Sequence, residues 1–296
     1  MSVALLLAIA GLSVLIYFIH HISVTIQAPN LVSSIGIELQ RGIDSLFPAT
    51  DELHDAEEAP ATDLPDDGEA RRVEAHTSGH MQVINLEGLV EVAREHDLVV
   101  RLETRPGRFV VHTSTLAHAW PASRVSDEVA GTVVTGSRRT PVQDVEFPIR
   151  QPAEVAVRSL SPGINDPSTA GTCVDQMSVG LCHAAGRAFP PRSLADEDGI
   201  VRLVIGDPVT FKRLIGVAFD RVRQSADFHA SVYIHVLEAL TRIAGCVRNP
   251  DRLEPLLRAG RLVVEAAEES VADEADQAVI KKRYDVLLAA ATERRS

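Results

Sequence analysis

The chain opens on an unbroken apolar run. Residues 3–19 read V-A-L-L-L-A-I-A-G-L-S-V-L-I-Y-F-I without a charge, about the length that crosses a bilayer core. Tyr17, His20 and His21 stand where an interfacial belt belongs. The pattern predicts a transmembrane helix over residues 1–21. A cleaved signal peptide fits less well, because no basic stretch precedes the run and no small-x-small site follows it. Over residues 22–48 the spacing becomes helical: Leu31, Val32, Ile35, Leu39, Ile43 and Leu46 recur opposite Asn30, Ser34, Glu38 and Gln40. That predicts an amphipathic juxtamembrane helix, lying on the bilayer or against a partner helix.

From residue 71 the pattern turns to strands. Val73, Ala75 and Thr77 alternate with polar neighbours, and residues 81–84, 98–103, 108–112 and 116–119 read as extended. Asn85 caps a helix with Leu86, Leu89, Val90 and Ala93 on one face. Arg105-Pro106-Gly107 is a turn. The phrase R-P-G-R-F-V-V-H-T-S-T-L-A resembles the hairpin of biotinyl/lipoyl-type barrels, which implies a small barrel-like β-rich domain over residues 71–121. That segment contains no lysine, so the swinging-arm role of those barrels is excluded.

Residues 122–296 predict a larger helical domain. Thr140-Pro141, Asp166-Pro167 and Asp207-Pro208 each read as a cap followed by a first-turn proline. The helices opened by Asp166 and Asp207 extend to about residues 186 and 226. Residues 228–247 are apolar almost all round and belong at the centre. Residues 251–270 and 271–291 close the chain as two more helices. Pro148 and Pro152 predict a split or kink. Glu146/Arg150 and Glu154/Arg158 read as solvated i,i+4 pairs. The expected fold class is α+β, mostly α, with one N-terminal transmembrane helix.

Charge separates these parts. The formal net charge is -12, yet residues 49–70 hold nine acids and no Lys or Arg. With Pro60 and Pro65 and no aromatics, that stretch predicts a solvated acidic linker. Without it, 32 acids face 29 bases. The folded part is nearly neutral, and no clustered basic run marks a nucleic-acid partner. Cys173, Cys182 and Cys246 are odd in number and lack a C-x-x-C pair, which fits a reducing compartment and excludes a disulfide framework.

Chemistry is sparse. No P-loop, G-x-G-x-x-G, G-x-S-x-G or H-E-x-x-H occurs. His76 and His80, four apart on an extended segment, would lie roughly 13 Å apart, too far to share a metal. His229 and His235, six apart, share no helical face. No metal and no cofactor is expected. The richest segment is Ser161-Pro162-Gly163-Ile164-Asn165-Asp166-Pro167. Gly163 is expected at positive φ. Asp166 and Pro167 open a helix whose N–H groups and dipole attract anions. Asn165, Asp166, Ser168 and Thr169 are candidate ligand contacts, with Arg138, Arg139 and Asp144 expected nearby. Turn chemistry accounts for most of the same residues, so a purely structural corner competes with a ligand site.

Three phrases, T-G-S-R-R-T-P-V-Q-D-V-E-F at 135–147, A-V-R-S-L-S-P-G-I-N-D-P-S-T-A at 156–170 and A-F-D-R-V-R-Q at 218–224, resemble the bacterial predicted membrane proteins called domain of unknown function 2254. H-H-I-S-V-T-I-Q at 20–27 is similar to the segment after the last membrane helix of that family. Members usually begin with several membrane helices, so this chain looks N-terminally short. The family also tends to run an unbroken helix where Pro148 and Pro152 stand. An even number of membrane helices implies a cytoplasmic soluble part at the inner membrane. The expected function is a membrane-anchored, non-enzymatic binding, regulatory or assembly module. Its expected partners are the lipid bilayer and a second copy or another membrane protein. One alternative is an enzyme or ligand-gated transport component using the 161–166 corner; another is a periplasmic adaptor.

Overall fold

The computed structural model describes residues 67–295 without a break, together with 11, 13–15, 17, 40–44, 47 and 64. The expected membrane span and acidic linker lie largely outside the described residues. Among the described residues no helix is long and apolar enough to cross a membrane.

Two sheets and a helical body make an α+β protein that is mostly helix. The strands are β1 (Arg71–Glu74), β2 (Gly79–Ile84), β3 (Val99–Leu102), β4 (Phe109–Val110), β5 (Thr115–Trp120), β6 (Val133–Gly136), β7 (Ser193–Ala195) and β8 (Val201–Ile205). A five-stranded sheet runs β1-β5-β3-β8-β7 and a three-stranded sheet runs β4-β2-β6. Only β3 and β8 pair in parallel in the larger sheet; every other pairing is antiparallel. The barrel expectation fails. The Arg105-Pro106-Gly107 turn joins β3 of one sheet to β4 of the other, so it closes no hairpin and the sheets form no closed barrel. Strands β6, β7 and β8 also fall in the part expected to be helical. Short, β-branched segments such as V-R-L-V-I acquire strand pairing only where an edge such as β3 awaits them.

The helices are α1 (Leu86–Glu95), α2 (Glu128–Gly131), α3 (Glu146–Ser159), α4 (Pro167–Ala185), α5 (Phe211–Ser225), α6 (Ala230–Cys246), α7 (Leu253–Ser270) and α8 (Glu274–Arg295). Helix α1 starts where Asn85 accepts from Gly88 N and buries Leu89 and Ala93, packing under the larger sheet with Leu98, Val100 and Leu203. Helix α6 is central: Val232, Tyr233, Val236, Leu237, Leu240 and Ile243 are all buried, with α4, α7 and α8 around it. Gly260 on α7 lets α8 approach closely, since a Cβ there would meet Leu287 at 2.6 Å and Tyr284 at 3.0 Å.

Two helix starts differ from expectation. Helix α3 begins at Glu146 rather than after Thr140-Pro141. Helix α5 begins at Phe211, capped by Thr210, whose side chain accepts from Arg213 N, rather than after Asp207-Pro208. In the second case the expected cap is engaged elsewhere, Asp207 with Arg105; Thr140 caps no helix, and its hydroxyl is buried without a hydrogen-bond partner. Helix α3 runs continuously through both prolines. Pro148 sits in the first turn, where the missing N–H has no partner to lose. Pro152 removes one bond to the carbonyl of Pro148, and burial of Pro148, Ile149 and Pro152 offsets the loss.

The described end of the segment expected to be juxtamembrane packs on this body. Residues 40–44 are helical; Ile43 and Phe47 are fully buried in the helical core. Asp44 holds His183 at 2.7 Å and also pairs with Arg187. The His183 hydrogen bond, with Arg187 nearby, keeps the Asp44 carboxyl below its usual range. Phe47 lies 4.6 Å from Phe189, ring centre to ring centre. Arg252 locks the same corner: its guanidinium donates to the carbonyls of Ala184, Ala185 and Arg187 at 3.4, 3.2 and 2.6 Å and stacks over Phe189, satisfying carbonyls at the end of α4.

Candidate functional site

The expected site residues divide into two groups. Asp144 lies two residues before α3 and Asn165 follows its far end. Fourteen residues of helix separate them by about 21 Å, so they do not meet.

At the far end the corner is built by local bonds. Asn165, with φ of 52°, takes the left-handed conformation, which asparagine adopts more readily than most residues, and its N–H donates to Ser161 O at 2.9 Å. Gly163 does not, contrary to expectation, and a Cβ there would meet nothing within 4 Å. Asp166 caps α4, accepting from Thr169 N at 3.0 Å and Thr169 Oγ1 at 2.6 Å. Those bonds hold its carboxyl below the usual range. An aspartate already occupies the helix start at the place assigned to an anion. Asn165 and Ser168 are exposed.

Stability tests follow from this arrangement. Asp166→Ala is expected to cost about 1 kcal/mol. The loss is full above the unfolded carboxyl value of 3.8 and fades as pH falls from there through the lower folded-state value, where the capping carboxylate itself takes up a proton. Gly163→Ala is expected to be neutral or to stabilise by up to about 1 kcal/mol. Thermal melts of both variants at pH 7 and pH 3 check the pair. A destabilised Gly163→Ala would contradict the backbone geometry.

Near Asp144 the chain builds something the sequence did not announce. Arg139 Nε lies 2.8 Å from Asp144 Oδ2, and its guanidinium stacks over Phe147. Asp144 is buried. Burial pushes its carboxyl up, Arg139 opposes that, and the neighbouring Glu146 charge adds to it. Gly107, with φ of 87°, passes directly over this pair.

Beside it lies a buried ionic network. Arg105 is 4% and Glu146 3% exposed, too little to share their charge with water. Arg105 Nη2 and Nε reach Glu146 Oε1 at 2.9 and 3.1 Å. Arg105 also pairs with Asp207, and Arg213 Nε with Glu146. Arg150 Nη2 reaches the other Glu146 oxygen at 3.2 Å. The Glu146 end of the Glu146/Arg150 pair is therefore buried while Arg150 stays half-buried, which corrects the solvated reading for Glu146. Arg221 approaches Glu154 at 3.9 Å. The network joins the β3–β4 turn, the start of α3, the β8–α5 connection and the start of α5. Apart from the i,i+4 pair Glu146/Arg150, its bonds span 41 to 102 residues, and no local signal could have linked those partners.

Two cavities flank the network. One, of about 280 Å³, lies between the sheets and the helical body. Ile84, Leu102, Leu194 and Phe47 supply apolar walls and Arg105 and Asp207 supply charge. The other is a basic cleft of about 570 Å³ between α5 and α7 that includes Arg150 and Arg213.

Elsewhere, Glu95, His96 and Glu128 bring three ligand atoms within 4.8 Å of one another at the surface. Cys173, Cys182 and Cys246 are free. Burial pushes the Cys173 and Cys182 thiols up to about 12, which disfavours the nucleophilic thiolate.

The fold and its junction define a class: an α+β protein whose helical body and paired sheets are pinned by buried arginine–carboxylate bonds, with residues 40–44 and Phe47 docked on it. The chain belongs to the family described as predicted membrane protein (DUF2254), which matches over residues 1–242. It is 28% identical over 285 residues to uncharacterized proteins of Mycobacterium tuberculosis and Mycobacterium bovis, covering 94% of this chain and 54% of each relative. The chain thus spans about half the length of the curated relatives it matches. No solved structure matches.

Proposed function

We propose that the chain is a membrane-anchored, non-enzymatic binding and regulatory module, held in the inner membrane by residues 1–21 with its soluble part in the cytoplasm. The junction cavity takes a small, largely apolar ligand bearing one polar group. The observation that carries this is the lining: Phe47 of the juxtamembrane segment and Arg105 and Asp207 of the ionic network face one space. A ligand there touches both the membrane-proximal segment and the bonds that join sheets to helices, so its presence is transmitted toward the bilayer. Apolar walls with a few convergent polar groups are the usual composition of a small-molecule site. The carboxylates at this junction are each held by an arginine, an arrangement suited to positioning more than to proton transfer. The lipid bilayer is the first partner, and a second copy or another membrane protein is the natural recipient of the signal. The periplasmic-adaptor alternative loses the closed barrel on which it rested.

Two measurements test this reading. The full chain is expected in the membrane pellet after an alkaline wash, and deletion of residues 1–21 releases it; recovery of the full chain in the soluble fraction ends the anchor. Native mass spectrometry of the mildly extracted full chain is expected to show a retained small molecule. Leu194→Trp, which fills part of the cavity, abolishes retention while leaving the melting temperature in place. Wild-type protein that carries no small molecule, or a Leu194→Trp variant that keeps it, overturns the ligand assignment.

A further inference from the structure

The basic cleft between α5 and α7 is a cavity separate from the junction pocket. Five basic side chains line it, Arg150, Lys212, Arg213, Arg221 and Arg258, against one acid, Asp220. Outside residues 49–70 the chain is nearly neutral, with 32 acids against 29 bases, so this local excess of positive charge stands apart from the rest of the folded part.

Three details show that the excess is unspent. Lys212 and Arg258 have no acidic partner among the described residues. Arg150 is committed to Glu146 through Nη2, but its Nε–H is buried without an acceptor. Lys212 and Arg213 occupy the first turn of α5, which contains no acid. That turn already carries the positive end of the helix dipole, where a cation is unfavourable and an anion is stabilised. Glu146 neutralises Arg213; nothing does so for Lys212. Asp220, the one acid, is exposed and folds against Gly216, its Oδ2 3.0 Å from where a Cβ there would stand. Gly216 and Ala259 leave the space open.

We propose that this cleft binds a phosphate-bearing anion, held by Lys212 and Arg258 with the Arg150 and Arg213 guanidinium groups at its edge. Guanidinium and ammonium donors around one concave site suit several phosphate oxygens at once. Gln224 and Thr210 add neutral hydrogen-bonding groups at the rim. Two sources share this chemistry: a soluble phosphate or diphosphate, and the headgroup phosphate of an anionic lipid.

The test uses the full chain in a neutral detergent, the double variant Lys212→Gln/Arg258→Gln, and Lys282→Gln on α8 as a remote basic control. Both cleft side chains are exposed and unpaired, so the double variant is expected to melt with the wild type. Inorganic pyrophosphate is titrated by calorimetry at low and high salt. Phosphatidylglycerol and phosphatidylcholine are offered separately and retention is read by native mass spectrometry. A soluble ligand predicts pyrophosphate binding that weakens at least about tenfold in the double variant, weakens with salt, and is unchanged in the control. A lipid ligand predicts selective retention of phosphatidylglycerol that the double variant loses and the control keeps. Absence of both kinds of binding overturns the proposal, as does binding that the double variant retains in full.

Discussion

Glu146→Ala is expected to be the most damaging single substitution in the ionic network. The carboxylate holds Arg105, Arg213 and Arg150 together. Its removal leaves Arg105, 4% exposed, with Asp207 as its remaining partner. Breaking a buried pair by deleting one member costs about 3–5 kcal/mol, because a charge stays buried without full compensation. That is a large share of a total stability of about 5–15 kcal/mol and corresponds to a melting shift on the order of 10 °C. A double change, Arg105→Leu with Glu146→Met, is expected to cost less than Glu146→Ala alone, since it removes the desolvated charges along with the bond. Denaturant melts of the three proteins decide the matter. A Glu146→Ala cost below about 1 kcal/mol, the range of an exposed pair, would show that the network is solvated.

Gly107→Ala is expected to cost at least about 3 kcal/mol, for two reasons that act together. At a φ of 87° any side chain is strained. A Cβ would also stand 2.1 Å from Asp144 Oδ2 and 2.6 Å from Arg139 Nη2. Asp144 cannot swing aside without giving up Arg139, and Arg139 cannot leave without losing Phe147. The open position at Gly163 provides the contrast: the same substitution there is expected to be harmless. Equal effects at the two glycines would refute the assignment of the close approach to Gly107.

Helix positions were readable where a local signal had no competitor. Asn85 before α1 and Asp166-Pro167 before α4 cap as expected, because the residues they bond are three positions away. The apolar segment that became α6 declared its burial through composition alone. Reading failed where a residue had a better partner far away. Asp207-Pro208 has the form of a helix start, yet Asp207 is bound to Arg105 and Thr210 caps instead. Glu146 and Arg150 have the spacing of a surface pair, and Arg105 and Arg213 drew its carboxylate into the interior. Gly163 had the composition of a positive-φ position, and Asn165 took it.

The family, the helical content and the apolar N-terminal run were determined by the sequence itself, because motif strings, capping residues and hydrophobic periodicity act over a few neighbouring positions. The candidate site was decided only by the tertiary structure. Arg105 and Asp207 come from two connections and Glu146 and Arg213 from the first turns of two helices, and each is an ordinary solvated residue by its local context. Their charges can be buried only because the sheets and the helical body bring them together, and a chain read one position after another carries no mark of that meeting.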